Sequence, residues 1–180
     1  MARIALFGGS FDPPHLGHVL AACTARLRGL DAVWVLPAAR HPYGKALSPW
    51  AQRLDLCHAA FDGLGDWCVV KTDELDNPSG FTFDLVTLLS ARHPEHSWHL
   101  VGGTDTATDM PRWHRGQELL KLVEICAIPR RGWDDQHPAA LPAISSSDLR
   151  RRILAREPWA ELVPTKVADR ITAASWYGHG

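Results

Sequence analysis

Short apolar runs alternate along this chain with segments of helical spacing, and that alternation restricts the folds open to it more than any other feature. The runs at residues 3–7, 32–36, 67–71, 98–101 and 125–128 predict strands, and residues 16–28, 49–61, 83–92, 118–123, 147–156 and 166–174 predict helices. Ser48 is expected to cap the second helix, with Pro49 in its first turn. Residues 131–143, rich in Pro, Asp and Gly, predict a loop. Parallel neighbouring strands need crossover connections, and a helix between strands supplies one. The expected fold class is therefore α/β, a single Rossmann-like, doubly wound parallel sheet of five strands with helices on both faces. With 180 residues and no internal repeat, low-complexity tract or linker, residues 1–180 are expected to form one domain.

In such a sheet ligands bind beyond the carboxyl ends of the strands, where the strand order switches. The chain places Gly8, Pro37, Gly102 and Pro129 at those ends. Residues 8–18 read G-G-S-F-D-P-P-H-L-G-H, so two glycines enter a tight turn and a helix follows from Leu16. The first N–H groups of a helix lack intrahelical partners and carry the positive end of its dipole, which makes the turn an anion site with phosphate as the expected guest. His15 and His18 are three apart, share a face of a first helical turn and can both donate to phosphate oxygens. An H-x-x-H pair also suits a metal ion or a solvated surface, although no third ligand with matching spacing follows.

A second group lies far along the chain, where Ile144, three serines from Ser145 to Ser147, Asp148, Leu149 and Arg150 read I-S-S-S-D-L-R. Hydroxyls at a helix start and a guanidinium one turn in suit phosphate oxygens; ordinary N-capping beside a solvated basic face would use the same residues. Nineteen basic and 20 acidic residues leave a formal net charge of −1, so no global field attracts nucleic acid or an anionic membrane, and any anion site is local. Cys23, Cys57, Cys68 and Cys126 lack a C-x-x-C pair and read as reduced core residues rather than a zinc or disulfide framework. No apolar stretch approaches the roughly 20 residues of a membrane span, and the N-terminus lacks a signal-peptide pattern, so a cytoplasmic protein is expected.

Residues 8–18 resemble the G-x-F-x-P-x-H-x-G-H signature of the HxGH nucleotidyltransferase superfamily, with Ser10 where many members carry Thr. The serine cluster is similar to that superfamily's I-S-S-T-x-x-R motif, with Ser147 in the Thr position. Gly103, Thr104 and Asp105 followed by Trp113, and the F-T-F-D of residues 81–84, resemble the G-x-D…W and Y-T-x-D blocks of bacterial nicotinate mononucleotide adenylyltransferases. Val163-Pro164 and Trp176-Tyr177 resemble that family's closing V-P…L-Y, so the likeness spans essentially the whole chain.

The resemblance implies adenylyl transfer from ATP to nicotinate mononucleotide, releasing pyrophosphate, with His15, His18 and Arg150 catalytic. It implies ATP binding by Gly8, Gly9, Ser10, Phe11, His15, Gly17, His18, Gly103, Asp105, Ile144, Ser146, Ser147 and Arg150. Trp113 would stack on the pyridine ring and Thr82, with Phe81, would lie beside its carboxylate, although a packed tryptophan and a helix-capping threonine fit the same residues. The family's P-P-H-K stretch appears here with altered spacing as residues 40–45; Lys45, with its flexible ammonium, is the residue expected to reach a phosphate in place of His41. Mg²⁺ would ride on the ATP phosphates, with no metal ligands from the protein. The expected partners are ATP and the mononucleotide, neither nucleic acid nor membrane, in a monomer or small homo-oligomer. Transfer to pantetheine phosphate or nicotinamide mononucleotide, or a non-catalytic nucleotide-binding module, are the competing readings.

Overall fold

The computed structural model describes residues 1–132 and 137–178. Five strands, β1 (Ala2–Gly9), β2 (Ala32–Pro37), β3 (Cys68–Val70), β4 (His96–Gly103) and β5 (Val123–Ile128), form one sheet in the order β3-β2-β1-β4-β5. Every pairing is parallel. The order runs one way from β1 to β3 and the other way from β1 to β5, so the switch point lies between β1 and β4.

Successive residues of a strand point to opposite faces, and the two faces of β1 are buried in two separate cores. Ala5 and Phe7 pack with α1 (Leu16–Leu27), α2 (Trp50–Phe61), α6 (Ser146–Ala155) and α7 (Thr165–Ala173), through residues such as Ala22, Leu56, Leu149 and Val167. Ile4 and Leu6 pack with α3 (Thr82–Arg92) through Phe83, Val86 and Leu89, and with Met110 and Leu119. A strand buried on both sides is apolar at consecutive positions, which is why residues 4–7 read as a run and not as an alternation. Cys57, Cys68 and Cys126 are buried, Cys23 is half-buried, and all four are free thiols. No helix among the described residues is long and apolar enough to cross a membrane.

The structure departs from the sequence reading at four places. Residues 118–123 do not form a helix: α5 is the single turn Gly116–Leu119, and Val123 is drawn into β5 by pairing with Trp98. A side chain at Gly116 would lie 2.2 Å from the Met110 carbonyl, so this turn closes tightly on the segment before it. A helix unforeseen in the sequence, α4 (Thr104–Asp109), follows β4; Ala107 is its one apolar residue, so it carries no periodic signal. Helix α2 begins at Trp50 with Pro49 in the cap position, and Ser48 instead donates its backbone N–H to Asp12 Oδ2 at 3.1 Å. In the 131–143 segment Leu141 forms an isolated parallel bridge with Arg130 just before it, while residues 133–136 lie outside the described residues.

The turn after β1 is fixed by polar contacts from distant parts of the chain. Phe11 adopts a left-handed conformation (φ 46°) with its ring buried, and the Asp12-Pro13 peptide is cis. The buried Asp12 carboxylate accepts from Ser48 N–H and, at 2.8 Å, from the Tyr177 hydroxyl. Arg150 donates to the Asp12 carbonyl and lies 3.8 Å from its Oδ2. Ser146 donates to the Pro13 carbonyl at 2.9 Å. Fully buried Arg53 donates to the carbonyls of Ser10 and Ser48, both at 2.9 Å. Tyr177→Phe removes a donor from a buried carboxylate oxygen and is expected to destabilise the fold by about 1 to 3 kcal/mol. Chemical denaturation checks this, and an unchanged midpoint would remove Tyr177 from the network.

Candidate active site

Two cavities open beside the carboxyl ends of β1 and β4, and both are lined by Gly8 and Val101. The smaller, of about 170 Å³, is walled by His15, Gly17, His18, Gly102, Gly103, Arg130 and Ile144 among others. The larger, of about 340 Å³, is lined by Gly9, Ser10, Arg40, His41, Glu74, Phe81, Thr82, Trp113 and His114 among others. Gly8 has open space where a side chain would stand, so the bare backbone of β1 separates the two lobes.

In the histidine lobe, His15 occupies the cap position of α1 and its backbone N–H donates to His18 Nδ1 at 3.1 Å. Accepting there leaves the proton of neutral His18 on Nε2, which makes that nitrogen a donor. The two imidazoles stack at 3.7 Å between centroids, and Phe11 packs 4.9 Å from His18. A side chain at Gly17 would meet the His15 ring at 3.0 Å, so glycine is what admits that ring. Burial, reinforced by the nearby Arg130 charge, lowers the His15 pKa to about 4. Burial first, then His15 and Arg130, hold His18 well below its ordinary value. The lobe thus presents two neutral imidazoles beside a cation, and an anion between them would counter the Arg130 charge and favour protonation against the burial. Arg130 Nη2 lies 3.4 Å from Asp105 Oδ2, while Asp105 Oδ1 is buried without a hydrogen-bond partner among the described residues. That oxygen sits where a side chain on Gly103 would be, 2.2 Å away, so Gly103 makes room for it.

The larger lobe is walled by rings. His114 stacks on Phe81 at 4.2 Å, and Tyr43 meets Phe81 edge-on at 6.0 Å. Trp113 is half-buried against the α3 core and pinned by its own N–H to the Met110 carbonyl and its carbonyl to the Gly116 N–H. Phe81 takes the cap position of α3 and Thr82 its first residue. Behind them, Asn77 Nδ2 donates to Glu74 Oε2 at 3.0 Å and to the Phe81 carbonyl at 3.3 Å, and Ser79 Oγ accepts from the Phe81 N–H. Burial raises the Glu74 pKa to about 7, against the Asn77 hydrogen bond, which lowers it.

Of the residues singled out in the sequence, the structure gathers Gly8, His15, Gly17, His18, Gly103 and Ile144 around the smaller lobe, and Gly8, Gly9, Ser10, Phe81, Thr82 and Trp113 around the larger. Phe11 lies behind the histidines in the core, Asp105 beneath Gly103, and Ser146 and Arg150 are engaged with the Asp12-Pro13 turn. Ser147 Oγ accepts from Arg150 at 3.5 Å, while Ser145 supplies the side-chain cap of α6, accepting from Asp148 N–H. Lys45 is exposed and lines neither cavity; Arg40 and His41 from the same loop line the larger. Sequence reading missed Arg130, Glu74, Asn77 and His114. Arg130 alone had a signal, directly after Pro129 at the end of β5.

Residues 6–152 match a family model described as cytidylyltransferase-like. A protein of Anaeromyxobacter dehalogenans strain 2CP-C, named "Probable nicotinate-nucleotide adenylyltransferase", is 37% identical, with 97% of this chain and 96% of that one covered. One of Myxococcus xanthus strain DK1622 with the same name is 35% identical over 98% and 95%. Plasmodium falciparum nicotinic acid mononucleotide adenylyltransferase, solved in complexes with APC and with NaAD, shares the fold with a TM-score of 0.80 at 18% identity, covering 100% of this chain and 99% of that one.

The opposed shifts give a pH test. His15 has its folded pKa depressed, so the stability it supports is present above 6.5 and is lost as pH falls through about 4. Glu74 has its folded pKa raised, so its contribution is complete below 4.5 and is lost as pH rises through about 7. NMR titration of the imidazoles is expected to place the His15 midpoint near 4 in the free protein. Saturating sulfate, which does not titrate in this range, should move that midpoint upward. An unmoved midpoint would put the anion elsewhere.

Proposed function

Because the chain belongs to the nicotinate-nucleotide adenylyltransferases of the cytidylyltransferase-like family, we propose that it transfers the adenylyl group of ATP to nicotinate mononucleotide in NAD biosynthesis. The products are nicotinate adenine dinucleotide and pyrophosphate. The observation that carries this reading is the pair of lobes meeting at Gly8, one with imidazole and guanidinium donors and the other walled by aromatic rings. The residues of 1–180 then act as one nucleotidyltransferase domain.

The 5′-phosphate of the mononucleotide attacks the α-phosphorus of ATP in line. The bond to the bridging oxygen breaks and the electron pair leaves with pyrophosphate. Neither partner needs a protein nucleophile, so catalysis consists of positioning and charge stabilisation. His18 donates from Nε2 to the α-phosphate and His15 assists on the same face, with Gly8, Gly9 and Ser10 letting the backbone approach. Arg130 stabilises the charge that develops on the leaving group. Arg150, Ser146 and Ser147 act on the triphosphate partly through the turn they brace and partly from the exposed start of α6. Phe81, Thr82, Trp113 and His114 hold the pyridine ring, and His41 with Arg40 takes the place expected of Lys45 near the mononucleotide.

ATP enters as its Mg²⁺ complex. The cation would be carried mostly by the phosphates and water.

The direct test is pyrophosphate release from ATP with nicotinate mononucleotide, nicotinamide mononucleotide or pantetheine phosphate as acceptor. The acid is expected to exceed the amide by at least about tenfold in kcat/KM, since a carboxylate accepts from backbone N–H groups at the start of α3 where an amide would point donors at donors. A clear preference for either of the others would overturn the assignment. His18→Ala should lower kcat by about 100-fold to 1000-fold with the fold retained. A folded variant with near-normal turnover would remove His18 from the chemistry.

A further inference from the structure

At the opposite end of the sheet, the connection from α3 to β4 reads His93-Pro94-Glu95-His96. The His96 N–H donates to the His93 carbonyl at 3.1 Å, closing a β-turn with Pro94 at its second position, where proline's fixed φ suits the turn. The turn brings three ligand-bearing side chains together. Glu95 Oε1 lies 3.6 Å from His93 Nδ1 and 3.4 Å from His96 Nε2, and one ligand atom from each residue falls within 4.8 Å of the others.

The imidazoles are held from behind. Trp34 of β2 and Trp98 of β4 meet both rings nearly edge to face, at 5.1 and 6.4 Å for His93 and 5.9 Å twice for His96. The two imidazoles are consequently close to parallel, 15° apart. His96 buries Nδ1 and turns Nε2 toward Glu95, so its outward nitrogen is the one on offer. Arg92, the neighbouring cation, is committed to Asp73 and Asp76. Glu95 itself is exposed, which leaves room for water to complete a coordination sphere.

We propose that His93, Glu95 and His96 form a binding site for a divalent transition cation of borderline softness, with Zn²⁺ as its representative. Two imidazoles and one carboxylate on a proline-containing turn are the donor set such ions take, and a hard ion such as Mg²⁺ prefers oxygen alone. The site is remote from the phosphate chemistry, so it stands whether or not the proposed activity holds. A bound ion would tie the end of α3 to the start of β4.

Zn²⁺ titration calorimetry on tag-free protein tests this, because a polyhistidine tag would supply competing ligands. One equivalent is expected to bind, and both Glu95→Gln and His96→Ala should weaken the affinity by at least about tenfold. Glu95 is on the surface of the turn, so Glu95→Gln keeps the fold even if His96→Ala does not. His15→Ala should bind Zn²⁺ as the parent does. Cu²⁺ should quench part of the tryptophan emission through Trp34 and Trp98, and less so in Glu95→Gln. Absent binding, binding untouched by Glu95→Gln, or binding lost in His15→Ala would each overturn the proposal, the last by placing the ion on the His15 and His18 pair.

Discussion

The buried carboxylate of Asp12 is the constraint on which the rest of the site depends. A charge removed from water must be met by donors, and here they come from Ser48 before α2 and from Tyr177 near the end of the described chain, with Arg150 of α6 close by. Three separate parts of the chain are thereby tied to the turn that follows β1. Arg53 works in the opposite sense, as a buried cation satisfied by the Ser10 and Ser48 carbonyls. The turn can therefore hold Phe11 in a left-handed conformation and present the start of α1 in one orientation.

That rigidity has electrostatic consequences. His15 and His18 are kept neutral by burial and by Arg130, although solvated histidines would be partly charged near neutral pH. A neutral imidazole whose Nδ1 accepts a backbone N–H has one tautomer, and its remaining donor is already aimed. A donor aimed in advance needs no reorganisation when charge develops on its acceptor, which is how preorganised donors lower a barrier. In the neighbouring lobe the same physics pushes Glu74 upward, and Asn77 links that carboxylate to the Phe81 carbonyl at the start of α3.

The glycines of the site serve approach more than flexibility. Gly103 admits Asp105 Oδ1 at a distance no side chain would allow, and Gly17 lets the His15 ring approach where a side chain would force it to shift. Gly8 instead leaves the backbone bare between the two lobes it lines.

The parallel sheet, its five strands and the placing of most helices were legible in the sequence, because burial on both faces forces apolar runs and crossovers force helices between them. The glycine-histidine turn was legible too, since its residues are contiguous. Helix α4 was not, because its six residues carry almost no apolar side chains and it forms only against the ends of β4 and β5. Ser48 as a cap was reasonable from local pattern and was redirected by a buried acceptor distant in sequence, and Arg150, expected at the phosphates, also donates to the Asp12 carbonyl. The loop at residues 40–45 likewise turned Arg40 and His41 to the cavity and left Lys45 in solvent. Local sequence determined which elements form and where the glycine-histidine turn falls, since backbone propensity and hydrophobic period act over short spans. Which side chains face the cavity, which brace it and which titrate abnormally was decided only by tertiary structure, because burial and long-range charge pairs bring together residues that sequence keeps apart.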